Sequence, residues 1–266
     1  EEFASFIEDQ KLKGQTLDYI AICSPNYLHV PHMKFALQNG IDVICEKPLV
    51  LYSEDIDMLH SYEKSYGASV NSILQLRLHP SIIALREKVA AAPKDHIFDV
   101  DLTYLTSRGK WYLKSWKGAD KKSGGVATNI GVHFYDMLHF IFGAIQHNEV
   151  HFKDEQTSSG YIEYERARVK WFLSIDAKNL PENAIQGEKL TYRSIMVGDE
   201  ELEFSGGFTD LHTQSYQNIL AGTGFGLEEN RVAIETVETI RDQAVVEAGE
   251  RAHPLLGKVL SKATGQ

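Results

Sequence analysis

Hydrophobic residues are placed along this chain in two different patterns, and the change falls after about its first third. In the first part helical stripes lead into short apolar runs. Phe3, Phe6 and Ile7 recur at helical spacing, and residues 17–23 follow as a run of the buried-strand kind. Ser24-Pro25-Asn26 breaks that run, Asn26 is placed to cap a helix, and Leu28, Met33, Ala36 and Leu37 form a stripe that Gly40 can close. A second strand ends by Pro48, which has no N–H to give a ladder. Ser53 is placed to cap a third helix with its stripe at Ile56, Leu59 and Tyr62, and residues 70–74 read as a third strand. Strands that alternate with helices in this way build a parallel, doubly wound sheet.

Beyond Pro80 the pattern changes. Ile82 to Val89 suits a helix, but residues 98–106 alternate through Val100, Leu102 and Tyr104 as a half-buried strand does. Comparable runs lie at 150–152, 161–175, 192–197 and 201–204, the last two parted by the hairpin signal Gly198-Asp199. Residues 132–142 are apolar enough for a buried helix. Residues 228–246 carry a helical stripe at Val232, Ile234, Val237 and Ile240, and the tail after Gly249 reads as loose. The expected fold class is therefore α/β. A doubly wound, parallel unit spans residues 1–76, and an α+β unit with a mainly antiparallel sheet spans 77–266.

The 266 residues suffice for two modest domains, and 43% hydrophobic with 24% charged residues is globular composition. No apolar run reaches the roughly 18 residues of a membrane span and no signal pattern opens the chain, so a cytoplasmic protein without a membrane partner is expected. A formal charge of −10 argues against a general nucleic-acid surface but not against a local basic pocket for an anionic small molecule. Cys23 and Cys45 lie in apolar runs, where a thiol acts as a small hydrophobe, so neither a disulfide nor a metal site is expected.

Two stretches carry candidate chemistry. Lys47 precedes Pro48 at the carboxyl end of a strand, where open α/β sheets bind ligands, and the proline holds it in extended geometry. In the stretch from Gly124-Gly125 to Asp136, helical spacing puts Asn129, His133 and Asp136 on one face.

Ser24-Pro25-Asn26-x-x-His29, Glu46-Lys47-Pro48 and the helix ending His133-x-x-Asp136 together resemble the signatures of the Gfo/Idh/MocA oxidoreductases, in the same order. The resemblance implies a partial dinucleotide-binding Rossmann domain over residues 1–76 and, over 77–266, an α/β domain with an open antiparallel sheet for substrate binding and oligomerisation, with the active site between them. It implies NAD as cofactor, without excluding NADP, and contacts to it from Ser24, Pro25, Asn26, His29, Glu46, Lys47 and Pro48. It makes Lys47 and His133 the catalytic pair, one the base and the other orienting the alcohol, with the assignment open. It also implies a cis Lys47–Pro48 peptide, and homodimers or homotetramers packed through the antiparallel sheet. Asn129 stands where the family commonly has aspartate, which removes a carboxylate that could have partnered His133.

Residues 23–29, 73–77, 102–109, 111–118 and 129–136 more closely resemble the WlbA/WbpB group. These are NAD-dependent 3-dehydrogenases of UDP-N-acetylglucosaminuronic acid in O-antigen and lipopolysaccharide sugar synthesis. An independent feature agrees. Arg108, Lys110, Lys114, Lys117, Lys121 and Lys122 crowd one stretch with Asp120 as its single acid, and a nucleotide diphosphate plus a uronate carries about three negative charges. Trp111, Tyr112 and Trp116 are candidates to stack on a base or sugar. Arg77, Arg108, Lys114, Trp116, Asn129 and Asp136 are the expected substrate contacts. Two alternatives are a dehydrogenase of another sugar or polyol and a non-catalytic sugar-nucleotide binder, as in the galactose regulon repressor of yeasts. The cationic stretch argues against the first, and the presence of both Lys47 and His133 against the second.

One departure stands out. A glycine-rich turn after the first strand, with an acidic residue about 20 positions on, is missing, and Gly222-Thr223-Gly224-Phe225-Gly226 has neither the spacing nor the place. The chain is accordingly expected to be a piece of the enzyme without its amino-terminal segment of about two βα units. Alone it should be inactive, bind NAD at millimolar affinity or worse, and self-associate through the edge of its first strand.

Overall fold

The computed structural model describes residues 2–187, 190–202 and 210–263. Helix α1 (Glu2–Leu12) leads to β1 (Tyr19–Ile22), α2 (His29–Gln38) to β2 (Asp42–Cys45) and α3 (Glu54–Tyr66) to β3 (Val70–Ser72). The strands are parallel in the order β1-β2-β3, with Ile22 beside Cys45 and Cys45 beside Ser72. Met33, Ala36, Leu37, Ile56 and Leu59 are wholly buried beneath α2 and α3, as their helical stripes require. Two expected caps differ. The Asn26 side chain makes no cap bond and turns toward the second domain instead, while the Ser53 amide is satisfied by Glu238 Oε2 at 2.9 Å. Cys45 is buried, but Cys23 lies past the end of β1 and is exposed, so only one of the two thiols fills core space.

The second part begins with α4 (Pro80–Ala91) and β4 (Phe98–Thr106), then four helices before the next strand: α5 (Trp111–Lys114), α6 (Asp120–Ser123), α7 (Gly125–Asn129) and α8 (Val132–Phe142). The rest is β5 (Ile145–Lys153), β6 (Thr157–Tyr164), β7 (Ala167–Ser174), α9 (Glu182–Gln186), β8 (Thr191–Val197), β9 (Glu200–Glu201), α10 (Leu211–Leu220), α11 (Leu227–Asp242) and α12 (Leu256–Ala263). The sheet order is β5-β6-β7-β4-β8-β9. It is mixed: β7 lies parallel to β4 after the helical crossover, and every other pairing is antiparallel. The apolar face of α8 packs on this sheet, where Tyr135 meets Trp171 edge-on at 5.5 Å between ring centroids.

Several boundaries moved for local reasons. The apolar run at 161–175 is two strands, because Glu165 and Arg166 turn the chain by taking backbone bonds to Ala144 and Phe142. Helix α11 stops at Asp242, where the carbonyls of Ile240, Arg241 and Gln243 are taken by Lys153 Nζ. The tail after Gly249 is tied down rather than loose: His253 stacks on Phe172 and bonds Thr103, and α12 follows. The hairpin at Gly198 forms with φ of 61°, and its expected end at Glu203 and Phe204 lies outside the described residues. Helix α11 also packs against α3 and β3, and Ser72 bridges Phe225, so the last part of the chain returns to the first sheet. Among the described residues no helix is long and apolar enough to cross a membrane.

Candidate active site

The parallel register of β1 and β2 sets two turns side by side, residues 24–26 and 46–48. His29 joins them from beneath: Nδ1 lies 2.8 Å from the Pro48 carbonyl and Nε2 2.9 Å from that of Ser24. Burial lowers its proton affinity against those two carbonyls, which raise it. His29 is thus buried between the two turns, whereas Ser24, Pro25 and Glu46 are half-buried. The Lys47–Pro48 peptide is cis. Lys47 Nζ donates to the carbonyl of Asn129 at 3.1 Å, so the strand-end lysine reaches the second domain. Its pKa is lowered to about 8, chiefly by burial, with Lys117 and Arg108 adding to the effect and Glu46 opposing it.

Asn129 is where the expected single helix divides. α7 ends there and α8 starts at Val132, and Gly131 at the join is packed so closely on Ala127, Leu173 and Tyr135 that no side chain fits. Asn129 and His133 line the cavity on either side of the break, while Asp136, three residues past His133 in α8, pairs with Arg77. The Asn129 amide accepts from Asn26 Nδ2 at 3.3 Å and donates to the Tyr112 hydroxyl at 2.6 Å, while Asn26 also donates to the Ser123 carbonyl at 3.0 Å. These bonds fix the carbonyl that holds Lys47. Lys47, Tyr104, Arg108, Asn129, His133 and Arg193 line one cavity of about 180 Å³. Burial first, then the charges of Lys47, His212 and Arg193, push the His133 imidazole well below its ordinary pKa, so it is neutral at working pH. Larger hollows of about 550 and 510 Å³ lie on the outer sheet face and beside α11, but neither gathers a proton-transfer pair.

Arg77 and Asp136 are not at the cavity. They form a buried ion pair, Nη2 to Oδ1 at 2.6 Å, and Arg77 also donates to the Glu229 carbonyl at 2.8 Å between the rings of Phe140 and Phe225. Lys114 is exposed and lines no part of the cavity. Lys117 is the lysine whose charge reaches Lys47, with its Nζ over the rings of Trp111 and Trp116. Tyr112 is buried, so it braces Asn129 and cannot stack on a ligand. The sequence reading did not single out Gln75, Tyr104, Arg193 and His212. The first three line the cavity, and His212 Nε2 lies 3.5 Å from Glu46 Oε1.

Ser24, Pro25 and Glu46, in the turns after β1 and β2, are half-buried, and Lys47 beside them reaches the cavity. No glycine-rich turn for the pyrophosphate occurs among the described residues. Two family models match the chain: the oxidoreductase family's NAD-binding Rossmann fold over residues 2–72 and its C-terminal alpha/beta domain over 96–254. The WlbA (WbpB) dehydrogenase from Thermus thermophilus, solved with NAD and alpha-ketoglutarate, superposes with a TM-score of 0.91 at 48% identity, over 96% of this chain and 82% of that one. The same dehydrogenase solved with NAD and UDP-GlcNAcA gives 0.91 at 46%, with the same coverage. The D-glucoside 3-dehydrogenase of Escherichia coli is 22% identical over 63% of this chain and 54% of its own length. The chain spans about half or less of the length of the first curated relatives it matches.

Proposed function

The chain belongs to the Gfo/Idh/MocA oxidoreductase family, and from that premise we propose that it serves the NAD-dependent oxidation of the 3-hydroxyl of UDP-N-acetylglucosaminuronic acid, for O-antigen sugar synthesis. The observation that carries the reading is the cavity. It pairs Lys47 with His133 and adds Arg108 and Arg193, with no carboxylate among its described lining residues, in a protein of net charge −10. An anionic sugar is the ligand such a lining favours. The T. thermophilus relative, solved with UDP-GlcNAcA, supplies the particular sugar.

Bound NAD would supply the hydride acceptor, its nicotinamide end held by Ser24, Pro25 and Glu46. Lys47 takes the proton of the reacting hydroxyl at Nζ. A pKa of about 8 leaves enough neutral amine near physiological pH for it to act as a general base. Neutral His133 orients the alcohol by a hydrogen bond rather than by charge. Asn129 aims Lys47 through its carbonyl and, being uncharged, does not restore the proton affinity that burial removes. Arg108, which lines the cavity, and Lys117, whose charge reaches Lys47, receive phosphate.

The enzyme is further inferred to act in the cytoplasm, as a homodimer or homotetramer joined through the outer sheet face. Asp99, Asp101 and Glu163 alternate there with Arg168 and Lys170, which suits a self-complementary contact. Turnover of UDP-GlcNAcA, UDP-GlcNAc and free inositol by the whole protein with NAD tests the function. The uronate should be oxidised with the highest kcat/KM, and faster oxidation of inositol would overturn the reading.

A further inference from the structure

Lys47 belongs to the first part of the chain and the carbonyl that receives it, that of Asn129, to the second, so the pair exists only where the two parts are held in register. The hold is made at the turn after β1. Asn26 there is 4% exposed, and its side chain crosses to the second part: Nδ2 donates to the Ser123 carbonyl at 3.0 Å and to Asn129 Oδ1 at 3.3 Å. Those two residues bracket α7 (Gly125–Asn129), so one side chain grips the helix at both ends. Its neighbour Tyr27 meets α6, with Lys122 Nζ 5.3 Å from the centre of the ring.

Chemistry sets the direction of each bond. The Ser123 carbonyl can only accept, so Asn26 must present its nitrogen to it, and the same nitrogen meets Asn129. Asn129 answers with its oxygen, which leaves its own nitrogen for the hydroxyl of buried Tyr112 at 2.6 Å. The Asn129 side chain is thereby held from both sides, and its backbone carbonyl meets Lys47 Nζ at 3.1 Å. Both hydrogens of the Asn26 amide are spent on the second part of the chain, so it has no donor left for a dinucleotide.

We propose that Asn26 is a positioning residue for the reaction: it clamps both ends of α7 to the turn after β1 and so aims, through Asn129, the carbonyl that holds Lys47. The resemblance makes Asn26 a cofactor contact, and the bonds it makes give it this different task. The assignment rests on the reading of Lys47 as the base. Without the clamp α7 is free to shift against Lys47, and a misplacement of about 1 Å costs roughly 100-fold in rate.

The test is steady-state kinetics of the whole protein with NAD and UDP-GlcNAcA across pH, for wild type, Asn26→Ala, Asn26→Ser, Asn129→Ala and the double variant Asn26→Ala with Asn129→Ala. Thermal melts and calorimetric titration of UDP report whether each is folded. Asn26→Ala should lower kcat roughly 10- to 100-fold, with KM for NAD changed less than about threefold. Its pH limb should move to lower pH, because a carbonyl that no longer receives the ammonium no longer favours charged Lys47. Asn26→Ser, which keeps one donor, should keep part of the rate, and it carries the comparison if Asn26→Ala does not fold. Since Asn26 acts through Asn129, the loss in the double variant should fall well short of the product of the two single losses. A tenfold rise in KM for NAD with kcat kept would make Asn26 a cofactor contact and overturn the proposal. Wild-type kcat and pH limb in a folded Asn26 variant, or losses that multiply in the double variant, would overturn it too. A wild-type protein that oxidises another sugar instead overturns the substrate reading alone, and the same comparisons on that sugar still decide the role of Asn26.

Discussion

Lys47 gives the sharpest prediction, because its environment fixes both a rate profile and a stability profile. Holding the ammonium at a pKa of about 8 rather than 10.5 costs the charged form roughly 3 kcal/mol. If the neutral amine is the base, kcat/KM should fall about tenfold per pH unit below 8 and level off above it. No second limb should occur near pH 6.5, because His133 is already neutral there. Removing a neighbouring cation, with Lys117→Ala or Arg108→Ala, relieves part of the repulsion and should move the limb to higher pH. Lys47→Arg cannot deprotonate and should lose roughly 100- to 10,000-fold in rate. Stability follows by linkage. The unfolded lysine binds its proton more tightly than the folded one, so the penalty is full below pH 8, shrinks as pH rises, and is gone above about 10.5. Lys47→Met escapes this penalty at every pH, although it leaves the Asn129 carbonyl without its donor. Denaturant melts of both proteins across this range should show the stability difference between variant and wild type moving by roughly 3 kcal/mol in favour of wild type. A constant difference together with a rate profile lacking a limb between about pH 7 and 9 would refute the reasoning.

Two further outcomes follow from the bonds around the site. Arg77→Met strands a buried carboxylate, so it should destabilise the fold by roughly 3–5 kcal/mol, and Arg77→Met with Asp136→Leu should recover much of that in thermal melts. Tyr112→Phe removes the acceptor of the Asn129 amide at a cost of roughly 1–3 kcal/mol, and it should lower kcat and shift the Lys47 limb while leaving UDP affinity unchanged in titration.

Much of the site was legible in the sequence because its chemistry sits at positions marked by local rules. Lys47 precedes a proline at a strand end, and Asn129 and His133 follow a pair of glycines; both stretches meet in one cavity. Asp136 lies off the cavity although it shares α8 with His133, because positions three apart point about 60° apart around the helix and the Asp136 carboxylate is taken by Arg77. Arg193 left no comparable signal. An arginine in an alternating strand reports only which face it occupies, and the residue that places it beside His133 is Tyr104, through a pairing of β8 with β4 that depends on distant segments. The parallel β4–β7 pairing was illegible for the same reason. Lys114 and Lys117 look alike as charges in a loop, and only the short turns after α5 bring the second, not the first, near Lys47.

The central claim is that Lys47 takes the proton as hydride leaves C3 of UDP-GlcNAcA, and tracing deuterium tests it most directly. UDP-GlcNAcA carrying deuterium at C3 is incubated with the whole protein and NAD, and the NADH and sugar products are read by mass spectrometry and NMR, in wild type and in Lys47→Met. The account predicts deuterium on the NADH, a 3-keto sugar as product, and loss of both in the variant while UDP still binds. Deuterium retained in the sugar, or unimpaired transfer by Lys47→Met, would contradict it.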